Sequence, residues 1–565
     1  MRDRQISKIS IVFKWRDFAF KISERKLIIF MTYLTPVVFF GHIYLKRYLE
    51  YHFPLGWDTP YYLYIARMLD QQGFVQTFYH PRVRGTYILP SALILIFNKI
   101  TQDIFLSVKI LQFATVILLI TVSVNILLSR FGESTGGFTY ILAPIISLSF
   151  LSWWSPIRLA ADLLGNFINY TLIIVSLLLA SSLSKKRNTL ALFSLGIISG
   201  ALTGLSHVFT SMFFAFLFMF DLLFLITIQN SLREVLSREG LFHVGFISSS
   251  LCYLLFILSL RPGIVGLIGR LINTQTFTIE LLTFTKFFGY YFTLLSIVSC
   301  ILFIVTLFRS LILHSSSLDR GLLSSQALPY RFLLMLSTVA IVSYLFFRAL
   351  PPSVNWLFGF SGRAVVMVHI PVLLTFLTET LIVGSKSMKK SKMLLTALMV
   401  VLLTILSLLS LPYQYNEASI HLRPFLYSDN FIKELTLLKN ENLTRENPIL
   451  VIVYLGDNRE FYRDFSELID NWIGAFIGDH LTYFGTLDDF LLLRNGLTGK
   501  FWFIDYYNIK TIEFLNANPS CENGINAFIL ESTYKHYKPE SSDFQLQNGC
   551  RIYLKVISAD RDTRS

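Results

Sequence analysis

Apolar runs of about 20 residues recur along the first 411 residues of the chain, and nothing comparable follows. Wound as a helix, such a run matches the ~30 Å hydrocarbon core of a bilayer. A chain that repeats this pattern is therefore committed to a helical membrane bundle. Charged residues make up 15% of the sequence, against roughly a quarter in a soluble domain. Eleven spans are expected, over 27–45, 104–128, 138–154, 163–181, 190–205, 208–228, 241–260, 287–308, 332–347, 364–381 and 393–411. The apolar stretch 87–97 is too short to cross and reads as a re-entrant or interfacial helix.

The composition breaks near Pro412. From there to Ser565 the chain carries 15 basic and 21 acidic residues, a net charge of −6, while the rest carries 34 and 15, a net of +19. The basic residues sit mostly in short loops between spans, which points to membrane orientation rather than to nucleic acid. The tail alternates apolar or β-branched runs (449–455, 501–507, 527–531, 551–557) with a helical pattern over 459–481. Strand, helix, strand implies a small α/β domain of ordinary size. The expected fold is thus an α-helical polytopic membrane bundle of about eleven spans with a long first outward loop, plus a small C-terminal α/β soluble domain. Its parts are a cytoplasmic segment 1–26, a membrane domain 27–411 with an outward loop 46–103, and an extracytoplasmic domain 412–565.

With the N-terminus inside, the cytoplasmic segments hold 21 Lys and Arg residues, against about 12 on the other face. The positive-inside rule then puts the N-terminus in the cytoplasm and the tail outside. The first apolar run is long and lacks a small-residue cleavage site, so it reads as a retained anchor. The localisation expected is multi-pass integral membrane, the plasma membrane in a prokaryote. Asn442-Leu443-Thr444 suits an outward tail. Cys521 and Cys550 either form a disulfide there or stay free, while Cys252 and Cys300 fall inside spans.

The outward loops are where polar groups not needed for crossing stand out. Long ordered loops more often carry function than connect, and the first contains Gly56-Trp57-Asp58-Thr59-Pro60-Tyr61-Tyr62 ahead of a helical stretch. Asp58 is either the cap of that helix, a role open to Thr59 as well, or a carboxylate held for chemistry. After the third span come Arg158 and Asp162, four apart, which either pair on one helix face or line a polar cavity. His207 lies at the turn between spans five and six and is either a satisfied turn residue or a ligand group. Arg261, Arg270, Arg348 and Arg363 lie near outward span ends, and Arg363 follows the loose Phe358-Gly359-Phe360-Ser361-Gly362. Such a backbone lets a guanidinium meet a phosphate bidentately. Asp221 and Glu379 fall in the cytoplasmic halves of their spans and fit no outward site.

The ordered set of Asp58, Tyr62, Arg67-Met68-Leu69, Gly73, the Pro90-bearing short helix, Lys109, Asp162 and Arg363 resembles the GT-C superfamily of integral-membrane glycosyltransferases. The protein mannosyltransferase and aminoarabinose transferase types are similar. The resemblance covers roughly the first 380 residues. It implies transfer of a sugar from a polyprenyl-phosphate carrier to a protein, lipid or glycan acceptor on the non-cytoplasmic side. Asp58 takes the place of the general base, Arg363 that of the phosphate contact. Asp162, Arg158, His207, Tyr62 and Arg270 would bind donor or acceptor. No cofactor is called for. A divalent metal stays possible, although Thr59 stands where the family carries a second carboxylate. The tail lacks the Trp-Trp-Asp motif of the oligosaccharyltransferase branch, Asp470-Asn471-Trp472 being a different run, so a monosaccharide donor is expected. The rival readings are a secondary transporter or flippase of a lipid-linked or anionic substrate, and a non-catalytic assembly protein. No nucleic-acid partner is expected.

The orientation is open to a direct check. A cysteine at Trp57 in an otherwise cysteine-free chain should react with a membrane-impermeant maleimide added outside intact cells, and reaction only after permeabilisation would reverse the topology.

Overall fold

In a computed structural model the described residues are 10–15, 18–80, 82–83, 85–135, 163–229, 232–260, 328–346, 422–424, 429–439, 449–452, 459–478, 482–485, 500–505, 508–513, 525–530, 542–545 and 551–557, with scattered single residues elsewhere. The chain divides into two compact units. One holds residues 1–50 and 112–422, the other 51–111 and 423–565.

The first unit is helical because hydrocarbon offers no partner to backbone N–H and C=O groups, which must then bond within each segment. It opens on a two-stranded antiparallel pair, β1 (Ser10–Trp15) and β2 (Phe18–Ser23). No strand was expected there. Then come α1 (Glu24–Glu50), most of α4 (Ile104–Thr135), α5 (Leu164–Lys185), α6 (Thr189–Ser206), α7 (Val208–Gln229), the short α8 (Leu232–Val235), a π-helical turn Leu236–Gly240, α9 (Leu241–Leu260) and α10 (Leu328–Phe346). Among the described residues five helices are long and apolar enough to cross a membrane: Ile104–Leu128, Leu164–Lys185, Thr189–Ser206, Val208–Thr227 and Leu241–Leu260. The chain is accordingly an integral membrane protein. The expected spans at 138–154, 364–381 and most of 287–308 and 393–411 lie outside the described residues.

Lipid tails are as apolar as leucine, so helices in a membrane associate through close packing and hydrogen bonds rather than through hydrophobic burial. The α6–α9 pair shows the close packing, and hydrogen bonds tie its two helices to α5 and α7. Gly196, Gly200 and Gly204 repeat every fourth residue along α6. A Cβ on the first would lie 2.3 Å from Phe242 O and on the second 2.7 Å from Phe246 O, so the two backbones meet with no room for a methyl group. Gly245 of α9 answers from the other side, its Cβ position 2.5 Å from Phe193 O. Hydroxyls complete the seam. Ser199 bonds Ser176 at 2.8 Å, Ser211 bonds both Thr203 and Ser250 at 2.9 Å, and Ser206 donates to Gly165 O at 2.8 Å.

Asp221, for which the sequence offered no account, is the centre of a buried ionic cluster. Its carboxylate accepts from Arg331 Nε at 2.7 Å and Nη2 at 2.9 Å, and Arg331 also donates to Glu239 Oε1. His243 sets Nε2 against Asp221 Oδ2 and Nδ1 against the Glu239 carbonyl, 2.8 Å each. Both ring nitrogens of His243 thus lie against oxygen atoms of the cluster. All four groups are buried and draw α7, the π-helical turn, α9 and α10 together. Glu379 lies outside the described residues.

The second unit contains α2 (Thr59–Tyr79), α3 (Ile88–Thr101), α11 (Asp429–Lys439), α12 (Arg459–Ile477) and a seven-stranded sheet. The strands are β3 (Ile449–Ile452), β4 (Thr482–Gly485), β5 (Lys500–Asp505), β6 (Asn508–Glu513), β7 (Ile525–Leu530), β8 (Ser542–Gln545) and β9 (Arg551–Ile557), in the order β6-β5-β4-β3-β7-β9-β8. The central pairs β4–β3, β3–β7 and β7–β9 are parallel, and both edges are antiparallel. Helix α12 follows β3 and precedes β4, as a parallel connection requires. Gly73 breaks the regular φ/ψ of α2 at φ 78°, where a side chain would be strained.

Removing one partner of a buried ion pair strands the other, at a cost of about 3–5 kcal/mol. Arg331→Met, which leaves two carboxylates facing each other, should lower the thermal midpoint of the detergent-purified protein sharply. A midpoint within a degree of wild type would show that the cluster carries no stability.

Candidate functional site

The backbone approaching Asp58 is held residue by residue. Lys109 Nζ donates to Tyr51 O and His52 O, 2.7 Å each. Leu55 is fully buried. Gly56 adopts φ 101°, a conformation L side chains rarely take, and its N–H donates to Arg423 O at 3.0 Å. Thr59 Oγ1 reaches back to Leu55 O. Asp58 occupies the N-cap position of α2, and its carbonyl accepts from the Tyr61 and Tyr62 N–H groups at 3.1 and 3.4 Å.

The side chains do not cap this helix. Asp58 has φ −80° and ψ −10°, the helical region, and makes no side-chain capping bond, while the Thr59 hydroxyl is committed to Leu55. A side-chain cap requires an extended backbone at that position, which turns the oxygen toward the second and third amides. Asp58 is therefore a half-buried side chain at the positive end of a helix. Tyr62 is buried. Its ring meets Tyr87 edge to face at 5.6 Å, and its carbonyl accepts from Ser91 Oγ at 3.0 Å, which ties α2 to α3.

The C-terminal segment supplies the other wall of α2. Arg82 Nη1 donates to Asp470 Oδ2 at 2.7 Å, in a pair only 13% and 5% exposed, and its guanidinium lies 5.9 Å from the Tyr64 ring centroid. The Arg82 carbonyl accepts from Tyr61 Oη at 2.9 Å. Gly474 faces the buried Tyr64 ring so closely that a Cβ would lie 2.4 Å from Cδ2. Gln71 Nε2 donates to Ile477 O at 3.2 Å, occupying one of the orphan carbonyls that end α12. Phe53 meets the fully buried Trp472 edge to face at 6.5 Å. Nothing local in the sequence marks Arg82, Asp470 or Gly474 as partners, since 388 residues separate the ion pair.

In the first unit, His207 is 4% exposed at the break between α6 and α7. Its Nδ1 accepts from Thr210 N–H at 3.2 Å, so the imidazole caps α7 much as a serine would. Thr210 Oγ1 lies 3.0 Å from the same nitrogen and donates to Asn166 Oδ1 at 2.7 Å. Asn169 Nδ2 donates to the His207 carbonyl at 3.1 Å. These contacts fix the imidazole at the turn between α6 and α7. Arg158, Asp162, Arg270 and Arg363 lie outside the described residues, as do Cys521 and Cys550. Among the described residues no group of three or more His, Cys, Asp or Glu is arranged to hold a metal ion.

No protein-family model matches the sequence, and no curated protein matches it. Among solved structures the chain is similar to the oligosaccharyltransferase of Archaeoglobus fulgidus in its apo form, with a TM-score of 0.44 and 12% identity. The likeness covers 80% of this chain and 64% of that one, so the chain spans less than two thirds of the neighbour's length. At a TM-score below 0.5 it adds no weight to any reading of function.

The close approach of α12 to α2 is testable on its own. Gly474→Ala places a methyl group against a buried ring with no room to turn, and overpacking of this kind costs about 1–3 kcal/mol. The variant should unfold at a lower temperature than wild type in a detergent melt, and an unchanged melt would mean that the helices stand further apart.

Proposed function

We propose that this protein is a membrane glycosyltransferase that moves a sugar from a polyprenyl-phosphate carrier to an acceptor on the non-cytoplasmic side. The observation that carries the reading is the setting of Asp58. It is a half-buried carboxylate that makes no capping bond, at the head of a helix whose first turn is bound from both flanks. In the proposed reaction an acceptor hydroxyl attacks the anomeric carbon and its proton passes to the Asp58 carboxylate. The bond from that carbon to the carrier phosphate breaks, and the phosphate leaves with the electron pair. Arg363 meets the charge gained by the leaving group. Asp162, Arg158, His207, Tyr62 and Arg270 bind donor or acceptor. Eleven crossings, an outward first loop and a separate α/β domain at the C-terminal end belong to the same proposal, as does a monosaccharide donor.

One observation favours the alternative of a secondary transporter or flippase. The Asp221–Glu239–His243–Arg331 cluster is an ionisable group set buried among apolar helices, and such sets mark ion and proton pathways. Glu239 Oε2 within it is buried with no hydrogen-bond partner among the described residues.

Reconstitution into liposomes separates the two readings. With polyprenyl-phosphate hexoses as donors, wild type should release polyprenyl phosphate in the presence of acceptor membranes. Asp58→Asn should lower that rate about 10²- to 10⁴-fold, the span expected for a lost general base. Equal rates would remove Asp58 from the chemistry. Movement of intact donor across the bilayer without transfer would favour the transporter.

A further inference from the structure

The C-terminal segment reaches the Asp58 turn from several directions at once. Two residues before Asp58, Gly56 is joined to Arg423 by its N–H and pairs with Pro424 in a parallel bridge. Three residues after it, the Tyr61 hydroxyl donates to the carbonyl of Arg82, whose guanidinium is held by Asp470. Six residues after it, the Tyr64 ring lies near both that guanidinium and Gly474. Further along α2, Gln71 closes the end of α12, beside Gly478 at φ 93°. Asp470 and Gly474 are four residues apart, so one face of α12 meets both Arg82 and Tyr64.

Three residues of this set form a relay. Asp470 holds the Arg82 side chain, Arg82 holds the Tyr61 hydroxyl through its own carbonyl, and the Tyr61 N–H is bonded to the Asp58 carbonyl at 3.1 Å. Asp470 is 5% exposed in its side chain and Arg82 13%, so water competes weakly for either group. The Arg82 guanidinium also lies 5.9 Å from the centre of the Tyr64 ring. A rotation of the first turn of α2 would have to break this relay and the Gly56 bridge together.

We infer that Asp470 is a positioning residue, which acts through Arg82 and Tyr61 to set the direction in which the Asp58 carboxylate leaves the head of α2. The inference rests on Asp58 being the general base. It makes the C-terminal segment a working part of the site.

The test uses the full-length protein in nanodiscs and reads the acceptor-dependent release of polyprenyl phosphate alongside hydrogen exchange of residues 56–66. Misplacing a catalytic group by about 1 Å costs on the order of 10²-fold. Asp470→Asn should therefore lower kcat about 10- to 100-fold, with the KM for donor within about twofold. The amides of 59–62 should exchange about tenfold faster. Asp470→Glu, which keeps the charge, should recover most of kcat and restore slow exchange. A residue that served the fold alone would lower the folded fraction, with kcat per folded molecule unchanged.

Asp58→Asn keeps the two failures apart. If it abolishes transfer while Asp470→Asn keeps wild-type kcat and exchange, the positioning role is overturned and the base stands. If Asp470→Glu falls as far as Asp470→Asn, the charge pair is not what positions the turn. If Asp58→Asn transfers like wild type, or wild type transfers from no donor, the functional reading fails and the inference with it. Should Asp470→Asn not fold, Arg82→Lys replaces it. Lysine keeps the carbonyl on Tyr61 but loses the planar grip on Asp470 and the Tyr64 face, and wild-type kcat and exchange in that variant would overturn the proposal.

Discussion

A polar group inside hydrocarbon has no water to bond to, and a backbone amide left unpaired there costs several kcal/mol. Every feature of the membrane helices answers to this constraint. Backbone groups bond along each helix, and hydroxyls such as Ser176, Ser199, Ser211 and Ser250 find one another across helices. Glycines at positions 196 and 200 replace the hydrophobic drive that lipid cannot supply with close backbone contact, and Gly204 makes room for the Tyr253 ring. The ionic cluster is the extreme case. Asp221 is tolerable in its span only because Arg331 grips both carboxylate oxygens and His243 adds a third donor. The same pairing makes this cluster poor evidence for stability beyond that of an apolar replacement, since desolvation consumes much of the Coulomb gain.

The second unit obeys a different logic, in which loop and tail order each other. Segment 51–58 has little regular structure of its own, and its backbone groups are met by Lys109 and Arg423. Helix α2 is then clamped between α3, through Ser91, and α12, through Asp470 and Gly474. A carboxylate at the head of such a helix keeps a defined direction without a capping bond.

Hydropathy alone located the helices Ile104–Leu128, Leu164–Lys185, Thr189–Ser206, Val208–Thr227 and Leu241–Leu260, because length and apolar content are properties of a contiguous run. The short helix at 88–101 was legible for the same reason. Capping at Asp58 was not. Residue type and a following proline allowed a side-chain cap, yet cap geometry depends on φ/ψ at one residue, and the neighbouring Gly56 is bound to Arg423, far along the chain. Arg331 was read as one of the loop charges that orient the chain, whereas it is buried on Asp221 and Glu239. An isolated acid in an apolar run signals that some cation must come to it, but not which.

The sequence by itself determined that this chain enters a membrane as helices, that its composition changes near Pro412, and that Asp58 opens a helix after a glycine-bearing turn. These are consequences of local run length, composition and turn chemistry. The tertiary structure decided what no local pattern encodes: which glycines face a backbone, which acid receives Arg331, and that Asp470 and Gly474 hold the helix that Asp58 begins. Pairings of this kind form between residues tens to hundreds of positions apart. They depend on where folded elements come together in space, which periodicity along the chain does not report.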